Sequence, residues 1–435
     1  MTAAAPNTLF GIRDYRHLFT AQVVALFGTG LSTVALGLLA YQLAGRDAAV
    51  VLGNALAIKM IGYVIIAPLA AAHCDRLPRR LLLVGLDLVR ATAVLALPFV
   101  DQIWQIYLLI AVLHAASAAF TPTFQAAIPD VVTDEMNYTR ALSASQLAAT
   151  MESLISPVLA ALALSVWSFH WLFLGTVVGF LLSAALVLTT KIPDAIRPDR
   201  GRAWDRTLSG IRIYLATPRL RGVLALNLTV ACAGSIVMVT TVNYVTDVLG
   251  GTRSDVAWLL AASGAGTMAV AVVLPPILQR VTERTVMLAG GAALLLGVGG
   301  AIESATAASR YPWTVAAVSW AILGIGMGLT LTPVGRILRR SAGPADRPAL
   351  FAAQFSLSHL CWLLAYPIAG WGITLRGFSA TWSVLSVLAG IGILTALVIW
   401  PRHDPDVLVH RSIPGRVDHL PTADATPVPT GLPPR

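Results

Sequence analysis

Charge is what this chain has least of. Asp, Glu, Lys and Arg make up 12% of its 435 residues, against ~25% in a soluble domain. A soluble fold of this composition would leave much of its apolar surface in water, which excludes a soluble enzyme. Cysteine is scarce as well. Cys74, Cys232 and Cys361 are too scattered for a disulfide framework, a CxxC redox pair or a zinc site, and they read as buried thiols. No Walker A sequence, glycine-rich phosphate loop or ABC signature occurs. ATP is therefore not expected to drive this protein directly, and no cofactor is expected. Lys and Arg are missing from Met1 to Phe10, and the first apolar block, Leu18 to Leu43, is too long for the core of a signal peptide. That block reads as an uncleaved first span.

What remains is apolar: 57% of the residues are hydrophobic and the mean hydropathy is +0.76. A helix needs about 20 apolar residues to cross the hydrocarbon of a bilayer, and lipid leaves no partner for an unpaired backbone N–H or C=O. The sequence accordingly predicts an all-α, polytopic membrane protein of twelve transmembrane helices. The predicted spans are 18–44, 50–72, 81–100, 103–125, 138–165 and 169–190, then 219–247, 255–279, 285–303, 312–334, 350–374 and 379–400.

The pI of 9.9 does not point to nucleic acid, because the basic residues are dispersed among loops. They act as topology signals instead. With twelve spans, Arg46, Arg253, Arg310 and Arg376 fall in loops on one side, and every other loop Lys or Arg falls on the opposite side. This asymmetry predicts both termini in the cytoplasm and a multi-pass protein of the cytoplasmic (inner) membrane. The long polar loop 191–218 separates a six-helix bundle at 1–190 from a second at 219–400. The Pro-rich tail, 401–435, reads as disordered. A monomer is expected.

The two halves repeat each other. Tyr41 to Gly45 answers Tyr244 to Gly250, Pro68 answers Pro275, and Thr121-Pro122 answers Thr332-Pro333. In spans five and eleven, Ala141-Leu142 answers Ala349-Leu350. At the same offset Gln146, Thr150 and Ser153 answer Gln354, Ser358 and Cys361. Each triplet is spaced i, i+4, i+7 and so shares one helix face. A transporter of two repeated halves binds its substrate between them, near the midplane.

The segment Ala71-Ala-His-Cys-Asp75-Arg76-Leu-Pro78-Arg79-Arg80 resembles the motif between spans two and three of the major facilitator superfamily. Asp75, Arg76, Arg79 and Arg80 match it; Ala71 and Pro78 stand where the motif has glycine. Three further segments are similar to drug and metal exporters of that superfamily: Tyr15 to Gln22, Asp87 to Ala91 and Ala119 to Asp130. The wording of Gly28 to Gly37 and of Ile58 to Ile61 resembles its nickel-resistance branch, which exports Ni²⁺ and sometimes Co²⁺. Members of that branch often end in a histidine-rich tail, whereas this one has His403, His410 and His419, widely spaced.

Ionisable groups inside a span cost about 2.5–3.5 kcal/mol each on insertion scales and call for a reason. Glu152, near the centre of span five, reads as a carboxylate that takes a proton in one state and releases it in another, or as half of a static ion pair. Lys59 lies at a similar depth in span two, as a salt-bridge partner of Glu152 or a guard against cations. Asp87 and Arg90 are spaced to pair on one helix face. With Asp75, Arg76, Arg79 and Arg80 they resemble the superfamily's cytoplasmic gating cluster. His359 and Cys361 are ligand types suited to Ni²⁺. On one helix, however, residues two apart point about 160–200° away from each other, so they cannot both reach one ion. His114, Gln146, Thr150, Gln354 and Ser358 complete the candidate substrate path. Asn243, Tyr244 and Asp247 read as the solvated end of span seven, with the lining of an exit vestibule as the alternative.

The function expected is secondary-active export by alternating access, coupled to protons, with nickel or cobalt as substrate. An exporter of drugs or siderophores is the alternative, favoured by few acids in the spans and by Trp320, Trp362 and Trp371. A non-transporting membrane sensor is the third. The partners implied are the lipid bilayer, a small solute or metal ion, and protons.

Overall fold

Long apolar runs that must satisfy their own backbone become helices. In the computed structural model every regular element among the described residues is helical. Those residues are 9–66, 78–132, 134–192, 210–306, 310–342 and 347–402. The expectations for Pro68, for the motif residues Asp75 and Arg76, and for the disordered tail lie outside them.

The first helices are α1 (Arg13–Ala44), α2 (Ala48–Ile61), α3 (Arg79–Ala96), α4 (Ile103–Val131), α5 (Glu135–Leu164) and α6 (His170–Leu188). Then follow α7 (Pro218–Ser235), α8 (Arg253–Ile277), α9 (Glu283–Ser304), α10 (Pro312–Leu331), the short α11 (Val334–Ser341), α12 (Arg347–Arg376) and α13 (Phe378–Ile399). Local chemistry sets several of the boundaries. Proline, which needs no N–H partner in a first turn, opens α7 and α10. Thr252 and Asp255 cap α8 reciprocally, as Gln102 and Gln105 cap α4. Between α1 and α2 the chain reverses through Gly45 at φ 54°, and between α12 and α13 through Gly377 at φ 78°; a side chain is strained at such φ values.

Ten helical stretches among the described residues are long and apolar enough to cross a membrane. One of them, Arg13–Ile65, has 53 residues. At ~1.5 Å per residue it would cover about two crossings of a ~30 Å core, and the Gly45 turn folds it there. The helix α5, 30 residues long, is not among the ten. Large apolar side chains stand on the outside, for example Phe99 and Val398, which are more than four-fifths exposed. Such a surface suits lipid and would be costly in water.

Two sets of helices emerge from the packing. In the first, α1 lies on α5 and α6, and α3 on α4 and α6. In the second, α10 lies on α8 and α9, and α7 on α12 and α13. The sets meet chiefly where α2 packs on α12 and α5 on α8. Their cores divide in a telling way. At the end that carries Arg79, Arg80, Arg336, Arg339 and Arg340, called here the basic end, each set has its own cluster. One is built on Tyr15, Leu83, Phe124 and Val187, and the other on Tyr214, Leu226, Ile337 and Trp400. Towards the opposite end one cluster runs through both sets, from Leu36, Leu52 and Phe173 to Val239, Tyr244 and Tyr366.

Candidate functional site

Between the two sets, at the level where the shared cluster gives way to the separate ones, lies a group of polar and aromatic side chains. The helix α2 continues into a π-helical turn, Gly62–Ile66, a feature frequent at functional sites. That turn carries Tyr63. Its ring meets three others edge-on: His114 of α4 at 6.2 Å between centroids, and Phe355 and His359 of α12 at 5.6 and 5.1 Å. Lys59 Nζ stands 5.9 Å from the centre of the same ring. The Nδ1 of His359 donates to the carbonyl of Phe355 at 2.6 Å, which leaves Nε2 as its acceptor atom. His114 is buried, and its Nδ1 has no hydrogen-bond partner among the described residues.

Glu152 of α5 belongs to this group. A methyl group at Gly30 of α1 would fall 2.6 Å from Glu152 Oε1 and would also strike Ser156, so a bare glycine makes room for the carboxylate. Lys59 lies within electrostatic reach of Glu152, His114 and His359. The salt bridge read as one role for Lys59 and Glu152 does not form here. The ion pairs among the described residues join Asp87 to Arg90, and Glu283 to Arg336 and Arg340. One cation and one carboxylate therefore share this region without neutralising each other by contact.

Asp87 and Arg90 pair as their spacing predicted, but halfway along α3 and deep inside the first set. Ser183 of α6 donates to Asp87 at 2.8 Å. The Arg90 guanidinium lies 3.9 Å from the Phe120 ring centre and 4.5 Å from that of Phe180. The partners recorded for the pair thus come from α3, α4 and α6. Arg79 and Arg80 open α3 at the basic end. A second charge cluster escaped the sequence reading: Glu283 at the start of α9 holds Arg336 at 3.3 Å and Arg340 at 3.2 Å, both on α11. The signal was the run of arginines after span ten; its acidic partner lies some fifty residues earlier.

The remaining candidates on α12 scatter. Gln354 accepts a hydrogen bond from Tyr214, so it is engaged with the segment 210–216. Ser358 bonds back to Phe355. Cys361 packs with Ala231 of α7 and with Ala365 of its own helix, away from His359 as the two-residue spacing required. The side chains of Gln146, Thr150 and Ser153 lie outside the described residues. Trp320, read as favouring an apolar pocket, is instead wholly buried within the second set and donates to Thr241 at 2.9 Å. Trp362 lies against Gly234, and Trp371 donates to Asn54 of α2 at 3.2 Å.

At the end opposite the arginines the sets are tied together. Tyr41, on the last turn of α1, donates to Asp247 at 2.5 Å, and Asn243 donates to the carbonyls of Gly45 and Arg46 at 3.3 and 3.1 Å. Asn243 and Tyr244 are buried. This corrects the reading of a solvated helix end for those two, while Asp247 is exposed: the carbonyls that hold Asn243 lie about two hundred residues away in sequence, and Tyr244 is covered by Trp320, Phe378 and Trp382. Nearby, α2 and α12 cross so closely that a methyl group at Gly53 would sit 2.8 Å from the Tyr366 carbonyl oxygen, and one at Gly370 2.5 Å from that of Ala49.

A long-helix fold in two sets, with polar residues between them, is shared by many transporters, so the comparison with known families decides. The sequence profile described as "Major Facilitator Superfamily" matches residues 18–248 and 223–428. The chain belongs to the major facilitator superfamily. It is 23% identical over 408 residues to the uncharacterized MFS-type transporter YfiS of Bacillus subtilis (strain 168), covering 91% of this chain and 92% of that one. It is 25% identical over 181 residues to macrolide efflux protein A of Streptococcus pyogenes, covering 40% of this chain and 44% of that one. Among solved structures, that of a D-xylose-proton symporter aligns with a TM-score of 0.68 at 15% identity, over 90% of this chain and 98% of the other. These likenesses make the protein a multi-pass membrane transporter of the superfamily. Within that frame the group around Tyr63 brings aromatic faces together with one basic and one acidic side chain, Lys59 and Glu152.

Proposed function

We propose that this superfamily member is a proton-driven exporter of amphipathic organic compounds, working by alternating access, with Glu152 as its proton site. The observation that carries the reading is the division of the core. One shared cluster closes the end opposite the arginines, the two sets keep separate clusters at the basic end, and Lys59, Tyr63, His114, Glu152 and His359 lie between. This is the arrangement of a path sealed on one side and parted on the other. The basic end is the cytoplasmic one by the positive-inside asymmetry, so the state is open to the cytoplasm and both termini are cytoplasmic.

In this reading the run Arg13–Ile65 supplies two crossings, α5 supplies one more, and the chain crosses the inner membrane twelve times. The first six-helix half is 1–190, the second is 219–400, and 191–218 links them; the working unit is a monomer. Asp75, Arg76, Arg79 and Arg80, with Asp87 and Arg90 behind them, govern switching at the cytoplasmic side. Gln146, Thr150, Gln354, Ser358 and Cys361 frame the path on the repeated helices.

An organic solute fits the site better than the nickel or cobalt implied by the sequence resemblance. Among the described residues no group of three or more His, Cys, Asp or Glu side chains gathers to hold an ion. The Lys59 ammonium stands in the same region and repels a divalent ion about twice as strongly as a singly charged organic cation at the same distance. The rings of Tyr63 and Phe355, with Lys59 between them and the Glu152 carboxylate in electrostatic terms, suit a molecule with an apolar body and a basic group. The partial likeness to a macrolide efflux protein supports the same class.

Coupling follows from competition for one carboxylate. A proton entering from outside gains about 2.3 kcal/mol per 100 mV of membrane potential. It neutralises Glu152 and so releases a cationic substrate. Glu152→Gln, which keeps the shape and mimics the neutralised state, is expected to weaken binding of a cationic substrate in proteoliposomes, to stop uphill export, and to lose its dependence on external pH. Normal gradient-driven accumulation by the Gln variant would overturn the role of Glu152. Growth of a sensitive host on graded macrolide, Ni²⁺ and Co²⁺ separates the substrate classes: resistance to the metals alone would restore the metal reading.

A further inference from the structure

The contacts at the end opposite the arginines form more than a packed seam. Asp247 sits on α7's continuation and holds two donors. Tyr41 Oη, from the other set, donates to Oδ1 at 2.5 Å, and its own neighbour Asn243 Nδ2 donates to Oδ2 at 3.0 Å. The same Asn243 amide reaches the Gly45 and Arg46 carbonyls. These are backbone acceptors in the reversal between α1 and α2, where Gly45 has φ 54°. One carboxylate and one amide of the second set thus grip both the side chain and the main chain of the first.

The grip is presented by an irregular stretch of helix. After Ser235, α7 winds through two π-helical turns, Ile236–Thr240 and Tyr244–Val248, separated by Thr241–Asn243. A π turn widens the helix locally, changes the direction in which the following side chains point, and is often found where function needs it. Here the second π turn carries Asp247, and Asn243 stands just before it. The stretch is also rigidly mounted. Trp320 Nε1 donates to Thr241 at 2.9 Å and Trp382 Nε1 to Thr240 at 3.2 Å. Tyr244 stacks on Trp320 at 5.6 Å between ring centres and donates to Ser304 at 2.7 Å. All of these anchors belong to the second set. The mount therefore travels with that set, and its bonds to Tyr41 and the Gly45 turn are the ones that must break when the sets part on this side.

We propose that Tyr41, Asn243 and Asp247 form a hydrogen-bonded lock that holds this end of the path shut, and that its release admits the state open on this side. The lock is distinct from the proton and substrate site near Tyr63. Its test needs no transported compound, so it stands or falls separately from the export reading. Hydrogen bonds to a charged acceptor are among the stronger ones, and losing one that exists in only one of two states shifts their balance by about that bond's worth.

The experiment reads opening directly. Ala257 of α8 is fully buried against Ala161 of α5 in the seam between the sets. A cysteine placed there by Ala257→Cys in the full chain, purified in detergent, is labelled with a membrane-impermeant maleimide. The labelling of the chain without that cysteine is subtracted. Tyr41→Phe removes one oxygen and is expected to raise the labelling rate about ten-fold. Asp247→Ala should raise it at least as much. The double variant should add little to Asp247→Ala, because both changes remove the same bond. Thr176→Val is the control: it removes a hydrogen bond of 2.6 Å from Thr176 to the Gly28 carbonyl, wholly within the first set, and should leave the rate at the parent's value. Unchanged labelling in Tyr41→Phe and Asp247→Ala overturns the lock, as does a rise in Thr176→Val equal to theirs, which marks general loosening. If Asp247→Ala fails to reach the membrane, Tyr41→Phe decides alone.

Discussion

The two sets of helices solve one problem in opposite ways. Each buries polar groups deep among its helices. The first set buries charge, with Asp87 and Arg90 paired between α3, α4 and α6 under the rings of Phe120 and Phe180. The second keeps its buried acid, Glu283, at the basic end with Arg336 and Arg340, and deeper among its helices buries neutral donors, where Trp320, Trp382 and Tyr244 meet Thr241, Thr240 and Ser304. A buried ion pair is weak evidence for stability, because desolvation offsets much of the attraction. Indole and hydroxyl groups cost far less to bury, and they orient large rings. The contrast assigns different duties: a rigid block in the second set, and in the first a charged pair whose retention asks for a functional reason.

The largest effect is expected from splitting the charged pair. Arg90→Ala strands the Asp87 carboxylate and should lower stability by about 3–5 kcal/mol, read as a fall in melting temperature and yield in detergent. Replacing both residues, Asp87→Leu with Arg90→Leu, should recover most of that loss. If the double variant is stable and still transports, the pair has no functional duty and the contrast between the sets dissolves.

Glycine contacts sharpen the comparison next. In the second set a methyl group at Gly324 of α10 would strike the backbone carbonyl of Ser263 on α8, which cannot rotate away. Gly324→Ala should cost about 2–3 kcal/mol, at the upper end for overpacking. Gly30 in the first set faces the side chains of Ser156 and Glu152, which can move. Gly30→Ala should cost about 1 kcal/mol, and its effect should appear instead in the pH dependence of transport. Equal melting temperatures for the two variants would show that the sets yield alike. The smallest effect is expected from Tyr244→Phe, which removes one hydroxyl bond to Ser304: about 0.5 kcal/mol, with the stacked rings retained.

Much of the fold is legible in the sequence, because lipid leaves the backbone few choices. Runs of apolar residues locate the helices, and Pro218, Pro312 and Gly377 mark boundaries where geometry demands such residues. The pairing of Asp87 with Arg90 follows from spacing alone, and so does the divergence of His359 and Cys361. What spacing cannot reveal is a partner on a distant helix. The meeting of Tyr63 with His114, Phe355 and His359 depends on how three helices cross. The burial of Asn243 depends on a turn in the other half of the chain. The π turns in α2 and α7 carry no composition signal of their own; they arise where packing outweighs regular winding. Trp320 misleads for a related reason, since a tryptophan in a span reads the same whether it lines a path or fills a core.

The crossing of α2 and α12 places backbone against backbone at Gly53 and Gly370. With no side chains there to interdigitate, the spacing of the two helices is set by main-chain atoms alone and does not vary with rotamer. Such a crossing behaves as a fulcrum: one set can tilt over the other without ridges having to climb out of grooves, and the lever arms on either side keep their lengths as it does so. If the halves rock as proposed, movement at the lock on one end becomes movement of opposite sense at the arginine-rich end, about a crossing held by two residues that have no side chain.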